Sequence, residues 1–269
     1  MAGKVRLDAL LAQRGLFESR SRAAAAVMAG EVLVGPGRER AAKAGQLVRD
    51  DVEVEVAQRA RFVSRGGQKL ANALDALRID VAGRRCLDVG ASTGGFTDCL
   101  LQRGAAEVVA LDVAYGELHW SLRTDPRVVV LERCNARALG AGDLPWRPSL
   151  VVCDVSFISL TKVLPSVLGV VEPERFDVLA MVKPQFEAGR EHVARGGVVR
   201  SPAARRASVA AVAAAAREAG ASVLGLAPSG LPGPKGNLET FLWLAEAARP
   251  GALDAEALDE LARRADPDG

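Results

Sequence analysis

The chain of 269 residues has no apolar run near the roughly 18 residues that a membrane helix needs. Its first thirty residues carry neither the apolar stretch nor the small-residue cleavage site of a secretory leader. These absences set the expectation of a cytoplasmic protein without a membrane-spanning segment. Cysteine is scarce and scattered: Cys86, Cys99, Cys134 and Cys153, with no Cys-x-x-Cys pair. Cys86 and Cys153 sit in strand-like apolar runs and read as small core residues, not disulfide partners or metal ligands. The two histidines, His119 and His192, are too few and too isolated for a zinc site. No metal is expected.

What is present is an ordinary globular composition with an uneven charge. The net charge is +2. Residues 1–70 hold 13 Lys and Arg against 8 Asp and Glu, a balance of +5, and the rest holds 22 against 25. A basic front end on a mildly acidic body suits a polyanionic partner. The length suffices for one large domain and one small one.

Leu7, Leu10 and Leu11 form a helical stripe that Gly15 can end. A second helix is predicted from a cap at Ser19 or Ser21 through Met28, with a stop at Gly30. Alternation predicts strands at 31–34 and 52–56, and Gly35-Pro36-Gly37 is a turn. Arg6, Arg14, Arg20 and Arg22 surround the helices and can grip phosphates as forks. Arg65, further on, is grouped with them as a phosphate contact. The string Arg6-Leu7-Asp8-x-Leu10-Leu11, with Gly15, Ser19-Arg20, Ala23 and Gly30-Glu31-Val32-x-Val34, resembles the S4-type RNA-binding domain, a small α+β module. Domain limits of 1–58 and 64–269 are expected, with a hinge at 58–62 and a linker at 59–63.

From residue 85 apolar strands alternate with helices: 85–89, 107–112, 127–131, 149–153, 177–182, 222–226 and 238–244. This is the pattern of an α/β fold with a mostly parallel seven-stranded sheet. A long helix is predicted at 202–219, capped by Ser201, and a short one at 253–262 within a polar tail. The first strand runs into Gly90-Ala91-Ser92-Thr93-Gly94-Gly95-Phe96. Glycines there let backbone pass close to a ligand. Asp112, twenty-two residues beyond Gly90, is placed to accept hydrogen bonds from a ribose diol. Asn135 and Asp154 end the next two strands, so three polar strand ends share the ligand-binding edge of the sheet. The layout suits S-adenosylmethionine: Asp112 to its ribose, Asn135 toward adenine, residues 90–96 around its methionine part. Ser92 replaces the second glycine of a dinucleotide fingerprint and argues against a dehydrogenase.

Lys183 follows an apolar strand and precedes Pro184, so its amine should enter the crevice. Glu239 opens the last strand, and Lys69 stands at a helix start after two glycines. Lys69, Asp154, Lys183 and Glu239 resemble the Lys-Asp-Lys-Glu tetrad of ribose 2′-O-methyltransferases. Together with Val63-Ser64-Arg65-Gly66-Gly67-x-Lys69-Leu70, Asp88-Val89-Gly90-Ala91-Ser92-Thr93-Gly94-Gly95-Phe96-Thr97, Val182-Lys183-Pro184-Gln185-Phe186-Glu187 and Pro232-Gly233-Pro234-x-Gly236-Asn237-x-Glu239, they make the chain similar to the TlyA family. Its members join an S4 domain to an FtsJ-like methyltransferase domain and are often labelled haemolysin A. The resemblance implies a Rossmann-like class I methyltransferase fold and S-adenosylmethionine-dependent methylation of a cytidine 2′-hydroxyl, with ribosomal RNA or ribosomal subunits as partner. Lys183 is the expected base, assisted by Lys69, because a ribose hydroxyl must shed its proton as the methyl arrives.

Two rivals fare worse. A base-directed RNA methyltransferase would show Asp/Asn-Pro-Pro-Tyr/Phe where Asp154-Val155-Ser156-Phe157 stands, or a Pro-Cys nucleophile. An RNA-binding protein with membrane-lytic action would want a strongly apolar, basic-faced helix.

Overall fold

The computed structural model describes residues 3–28, 30–56 and 61–266. The chain divides into two compact units, Met1–Ala60 and Arg61–Gly269. Of the expected hinge and linker, Gln58 to Ala60 lie outside the described residues, as do the last three residues of the polar tail. Arg61 and Val63 are bonded into the second unit: the Arg61 carbonyl accepts from Gln102 and the Val63 N–H donates to Asp98, each at 2.8 Å.

The first unit runs β1 (Lys4–Arg6), α1 (Leu7–Gln13), α2 (Arg20–Met28), β2 (Val32–Val34), β3 (Glu39–Arg40), β4 (Leu47–Arg49) and β5 (Val54–Val56). β1 pairs with β4, and β3-β2-β5 form a second antiparallel sheet. Leu7 and Leu11 from α1, Ala23 and Val27 from α2, and Val32 make its core. Ser19 caps α2, its hydroxyl accepting from the Arg22 N–H at 3.2 Å. β1, β3 and β4 are two or three residues long, too short for alternation to announce them.

The second unit holds α3 (Arg65–Leu77), β6 (Arg85–Val89), α4 (Gly95–Gln102), β7 (Glu107–Leu111), α5 (Trp120–Arg123), β8 (Val128–Leu131), β9 (Leu150–Cys153), α6 (Leu164–Val170), β10 (Asp177–Val182), α7 (Pro184–Glu187), α8 (Pro202–Glu218), β11 (Ala221–Pro228), β12 (Thr240–Glu246) and α9 (Ala255–Ala265). The seven strands lie in the order β11-β12-β10-β9-β6-β7-β8, and β12 alone runs against the rest. Alternate residues serve opposite faces. Leu87, Val89, Val151 and Cys153 meet α6, α8 and α9, while Cys86, Leu150 and Val152 meet α3 and α4. Both faces are covered, which is why the strands read as unbroken apolar runs.

Two features of the sheet place the site. Chain order reverses at β6: β7 and β8 extend one way, β9 and β10 the other, opening a crevice beyond Val89 and Cys153. The antiparallel β12 pairs Thr240 with Val182. That register sets Glu239 beside Lys183 at the same edge.

Candidate active site

Four charged side chains of the expected set converge here. Ser64 caps α3, its hydroxyl accepting from the Gly66 N–H at 3.3 Å, and so fixes where Lys69 emerges. Lys69 and Lys183 are only 7% and 8% exposed, and buried lysines persist only when paired. Lys69 Nζ lies 2.5 Å from Glu239 Oε2. Lys183 Nζ lies 2.5 Å from Asp154 Oδ1, an ion pair without hydrogen-bond alignment, and donates to Ser156 Oγ at 2.8 Å. Both pairs face one cavity of about 740 Å³.

The glycine turn forms another wall of that cavity. Gly90, Ala91, Ser92, Thr93, Gly95 and Phe96 line it, and Gly94 starts α4 as its left-handed N-cap. At Gly90 (φ +87°) a Cβ would stand 2.6 Å from the Asp154 carbonyl oxygen, so β6 and β9 approach each other only because no side chain intervenes. At Gly95 a Cβ would stand 2.1 Å from Ser64 Oγ, which seats α3 against the turn. Beneath the turn, Asp88 is fully buried and accepts from the Thr97 N–H and Oγ1 at 2.9 and 2.7 Å. Burial pushes its carboxyl up to about 7. Ser92 takes the left-handed conformation (φ +47°) that the missing glycine would have used. Its N–H donates to Asp112 Oδ2 at 2.7 Å, and Asp112 Oδ1 accepts from the Ala114 N–H at 2.8 Å. Asp112 faces a small adjoining cleft that shares Ala91 and Ser92 with the large one.

Other expected residues stand apart. Asn135 lines neither the large cavity nor the small cleft; its side-chain oxygen caps a 3₁₀ turn by accepting from the Arg137 N–H at 3.1 Å. Arg65 lines the cavity but donates to the Pro232 carbonyl at 3.1 Å. In the first unit Arg6 forks onto Asp8 at 3.1 and 2.8 Å, and Arg20 reaches the same carboxylate at 3.4 Å. The Arg6 hydrogen bonds hold the Asp8 carboxyl down at about 2. Both arginines keep more than half their side-chain surface exposed (53% and 59%) and can still meet an anion. Arg14 donates to the Val52 and Asp50 carbonyls at 2.7 and 2.6 Å, which ties α1 to the turn before β5. Arg22 is exposed.

Sequence reasoning passed over Ser156, Phe157, Phe186 and Asn237 as site residues. Ser156 and Phe157 lie two and three residues after Asp154, and an aromatic inside a strand-end loop was the available signal. Phe157 is 93% exposed with a left-handed backbone (φ +63°), and its ring lies 5.3 Å from that of Phe186. A bulky residue held in that conformation marks a functional surface more often than a defect. Glu187 accepts from Ser159 Oγ (2.6 Å) and the Leu160 N–H (2.8 Å), which holds the Phe157 loop against α7. Among the described residues no three His, Cys, Asp or Glu side chains gather to hold a metal ion, and no helix is long and apolar enough to cross a membrane.

A doubly wound sheet with a glycine turn, strand-end acids and paired lysines defines a methyltransferase of the FtsJ-like class, here following a small S4-type module. Residues 62–246 match the FtsJ-like methyltransferase family and residues 5–53 match the S4 domain. Relatives agree along the whole chain. A Mycobacterium tuberculosis protein named 16S/23S rRNA (cytidine-2′-O)-methyltransferase TlyA is 51% identical over 100% of both chains. A Brachyspira hyodysenteriae protein named Hemolysin A is 40% identical, covering 87% of this chain and 97% of its own. A solved structure from Streptococcus thermophilus that carries a hemolysin label superposes with a TM-score of 0.73 at 39% identity, over 98% of this chain and 96% of its own. The chain belongs to the TlyA family of FtsJ-like methyltransferases.

Proposed function

We propose that the chain transfers a methyl group from S-adenosylmethionine to the 2′-hydroxyl of a cytidine in ribosomal RNA, and does so in the cytoplasm. The observation that carries this is the pair of buried lysine–carboxylate contacts, Lys69–Glu239 and Lys183–Asp154, facing one cavity beside the glycine turn. The residues fit the cofactor. Gly90, Ala91, Ser92, Thr93, Gly95 and Phe96 line the large cavity, and that wall suits its methionine part. The Asp112 carboxylate has room for ribose hydroxyls beyond its two backbone bonds.

S-adenosylmethionine supplies an electrophilic methyl group. The chain's own residues deal with the hydroxyl. Lys183 accepts its proton when its side chain is the neutral amine, with Asp154 and Ser156 fixing the direction of that amine. Lys69, held by Glu239, completes the polar wall around the reacting oxygen. General base action contributes about 10²–10⁴-fold, and alignment of the reactants much of the remainder. Phe157 offers an open ring face on which a base of the substrate strand can stack. The S4-type unit, with Arg6, Arg20 and Arg22 exposed, supplies affinity for phosphates.

The test is Lys183→Ala in a labelled-methyl assay on ribosomal subunits that lack the modification. Methyl transfer should vanish while S-adenosylmethionine binding, followed by calorimetry, stays near that of the parent. Retained turnover would remove Lys183 as base. A product whose ribose 2′-hydroxyl remains free would redirect the reading to the base.

A further inference from the structure

The cavity is also lined by two loops whose roles the tetrad does not explain. One is a small hairpin whose Ala194 and Val198 form a bridge, with Gly196 and Gly197 left-handed at its tip (φ +105° and +83°). The other is the turn between β11 and β12, where the Gly233 N–H donates to the Asn237 carbonyl at 2.8 Å. Asn237 is 2% exposed and joins them. Its Oδ1 accepts from the Val199 N–H at 2.9 Å, and its Nδ2 donates to the Gly197 carbonyl at 2.8 Å. Both hydrogen bonds go to backbone in the neighbouring loop, so the buried amide acts as a clasp. A buried amide whose oxygen and nitrogen are both hydrogen-bonded to the neighbouring loop favours a single arrangement of the chain around it.

Of the cations these two loops carry, Lys235 lines the cavity and the hairpin's exposed Arg195 does not. Lys235 is exposed at the mouth of the cavity and lies against the hairpin tip: a Cβ on Gly197 would be 3.4 Å from its Cδ and Nζ. The bare glycine gives the lysine stem its bed. Lys69 and Lys183 are each tied to a carboxylate, whereas Lys235 keeps an open ammonium on the solvent side of the same cavity. A nucleotide whose ribose reaches Lys183 carries phosphodiesters outward on both sides, and an ammonium at the mouth is a point-charge partner for one of them.

We propose that Lys235 holds a backbone phosphate flanking the target ribose, and that Asn237 is the positioning residue that keeps Lys235 and the hairpin in place. This rests on the ribose-methylation reading above. Lys235 thus contributes affinity and alignment without reading sequence.

The experiment uses the full chain and in-vitro-transcribed ribosomal RNA, with filter binding at several KCl concentrations and no turnover required. Lys235→Ala should weaken RNA binding about tenfold at low salt, as expected for loss of a charge-assisted hydrogen bond. It should also lower the slope of log affinity against log salt by about 0.7–0.9. Lys235→Arg should restore both, and S-adenosylmethionine binding should not change in either variant. In an Asn237→Ala background, removing Lys235 should add little further loss. In the methyl-transfer assay Lys235→Ala should raise KM for RNA far more than it lowers kcat. An unchanged affinity and salt slope in Lys235→Ala would overturn the proposal, and so would full additivity of the two substitutions. If the parent chain binds RNA but methylates nothing, the ribose-methylation reading fails while the binding result still decides the role of Lys235.

Discussion

Replacing Gly90 by alanine tests whether the two central strands need a bare backbone where they meet. Gly83, on the turn before β6, supplies the matched control. Both residues are left-handed, at φ +87° and +71°, so each alanine carries comparable backbone strain. That strain costs about 1–2 kcal/mol, offset by about 0.4–1 kcal/mol from a less flexible unfolded chain. At Gly83 nothing lies within 4 Å of the new carbon, so the net loss should be about 1 kcal/mol. At Gly90 the new carbon would sit 2.6 Å from the Asp154 carbonyl oxygen and 3.0 Å from its carbon. Both are backbone atoms of the neighbouring strand end and cannot rotate away. Overpacking adds about 1–3 kcal/mol, for roughly 2–4 kcal/mol in all. For a unit of this size each kcal/mol moves Tm by about 2–4 °C. Thermal unfolding followed by circular dichroism should fall by a few degrees for Gly83→Ala and by about 4–16 °C for Gly90→Ala. Methyl transfer, measured well below both transitions, should separate them further. Displacing Asp154 by an ångström misdirects the Lys183 amine, worth about 10²-fold, while Gly83→Ala should turn over like the parent. Equal Tm losses in the two variants, or full activity in Gly90→Ala, would refute the close-approach reasoning.

Three further outcomes follow from the same geometry. Glu239→Ala leaves the Lys69 ammonium buried without its partner and should destabilise the second unit by about 3–5 kcal/mol in urea unfolding, whereas Lys69→Met with Glu239→Leu should recover most of that stability and remain inactive. Asp88 holds its proton to about pH 7 in the folded chain, whereas an ordinary aspartate releases it near 4. The folded state therefore binds more protons between those values, and stability should fall as pH rises from about 4 to about 7, then level off. In Asp88→Asn this decline in Tm should flatten, and an unchanged profile would assign the pH dependence to another group. Arg14→Ala should lower the stability of the first unit by about 1–2 kcal/mol through loss of its two carbonyl contacts. Chemical-shift changes confined to the turn at 50–52 would show it acting on the fold before any effect on RNA.

The second unit was legible in the sequence because its central strands, β6, β7, β9 and β10, are buried on both faces. Val108 to Leu111 or Val178 to Val182 can be nothing polar, and the glycine, serine and acid residues at their ends stand out by contrast. Lys69, Asp154, Lys183 and Glu239 could be chosen for the same reason: charged residues next to apolar strands or a helix start. Their pairing could not. Lys69 and Glu239 are 170 positions apart, and only the antiparallel placement of β12 brings them within 2.5 Å. A sequence spacing carries no information on strand direction. The arginines of the first unit show the complementary limit. Arg14 satisfies backbone carbonyls and Arg6 a buried aspartate, roles that look identical to phosphate contacts in a string of letters. Asn237 was visible within a motif, but its work is a clasp between two loops, which no periodicity reports.

The place of β12 in the sheet also bears on how the enzyme comes into being. It is the last strand of the chain, yet it lies inside the sheet, with β10 on one side and β11 on the other. During synthesis β6 to β10 can assemble first, which leaves the wholly buried β10 as an unpaired apolar edge. In the folded sheet β11 reaches β10 only through β12, so the two close that edge together as a hairpin. Glu239 comes with the same hairpin. A chain cut short before β12 would leave that apolar edge unpaired and would lack the carboxylate that holds Lys69. Closure of the sheet and assembly of the chemistry thus depend on the same strand.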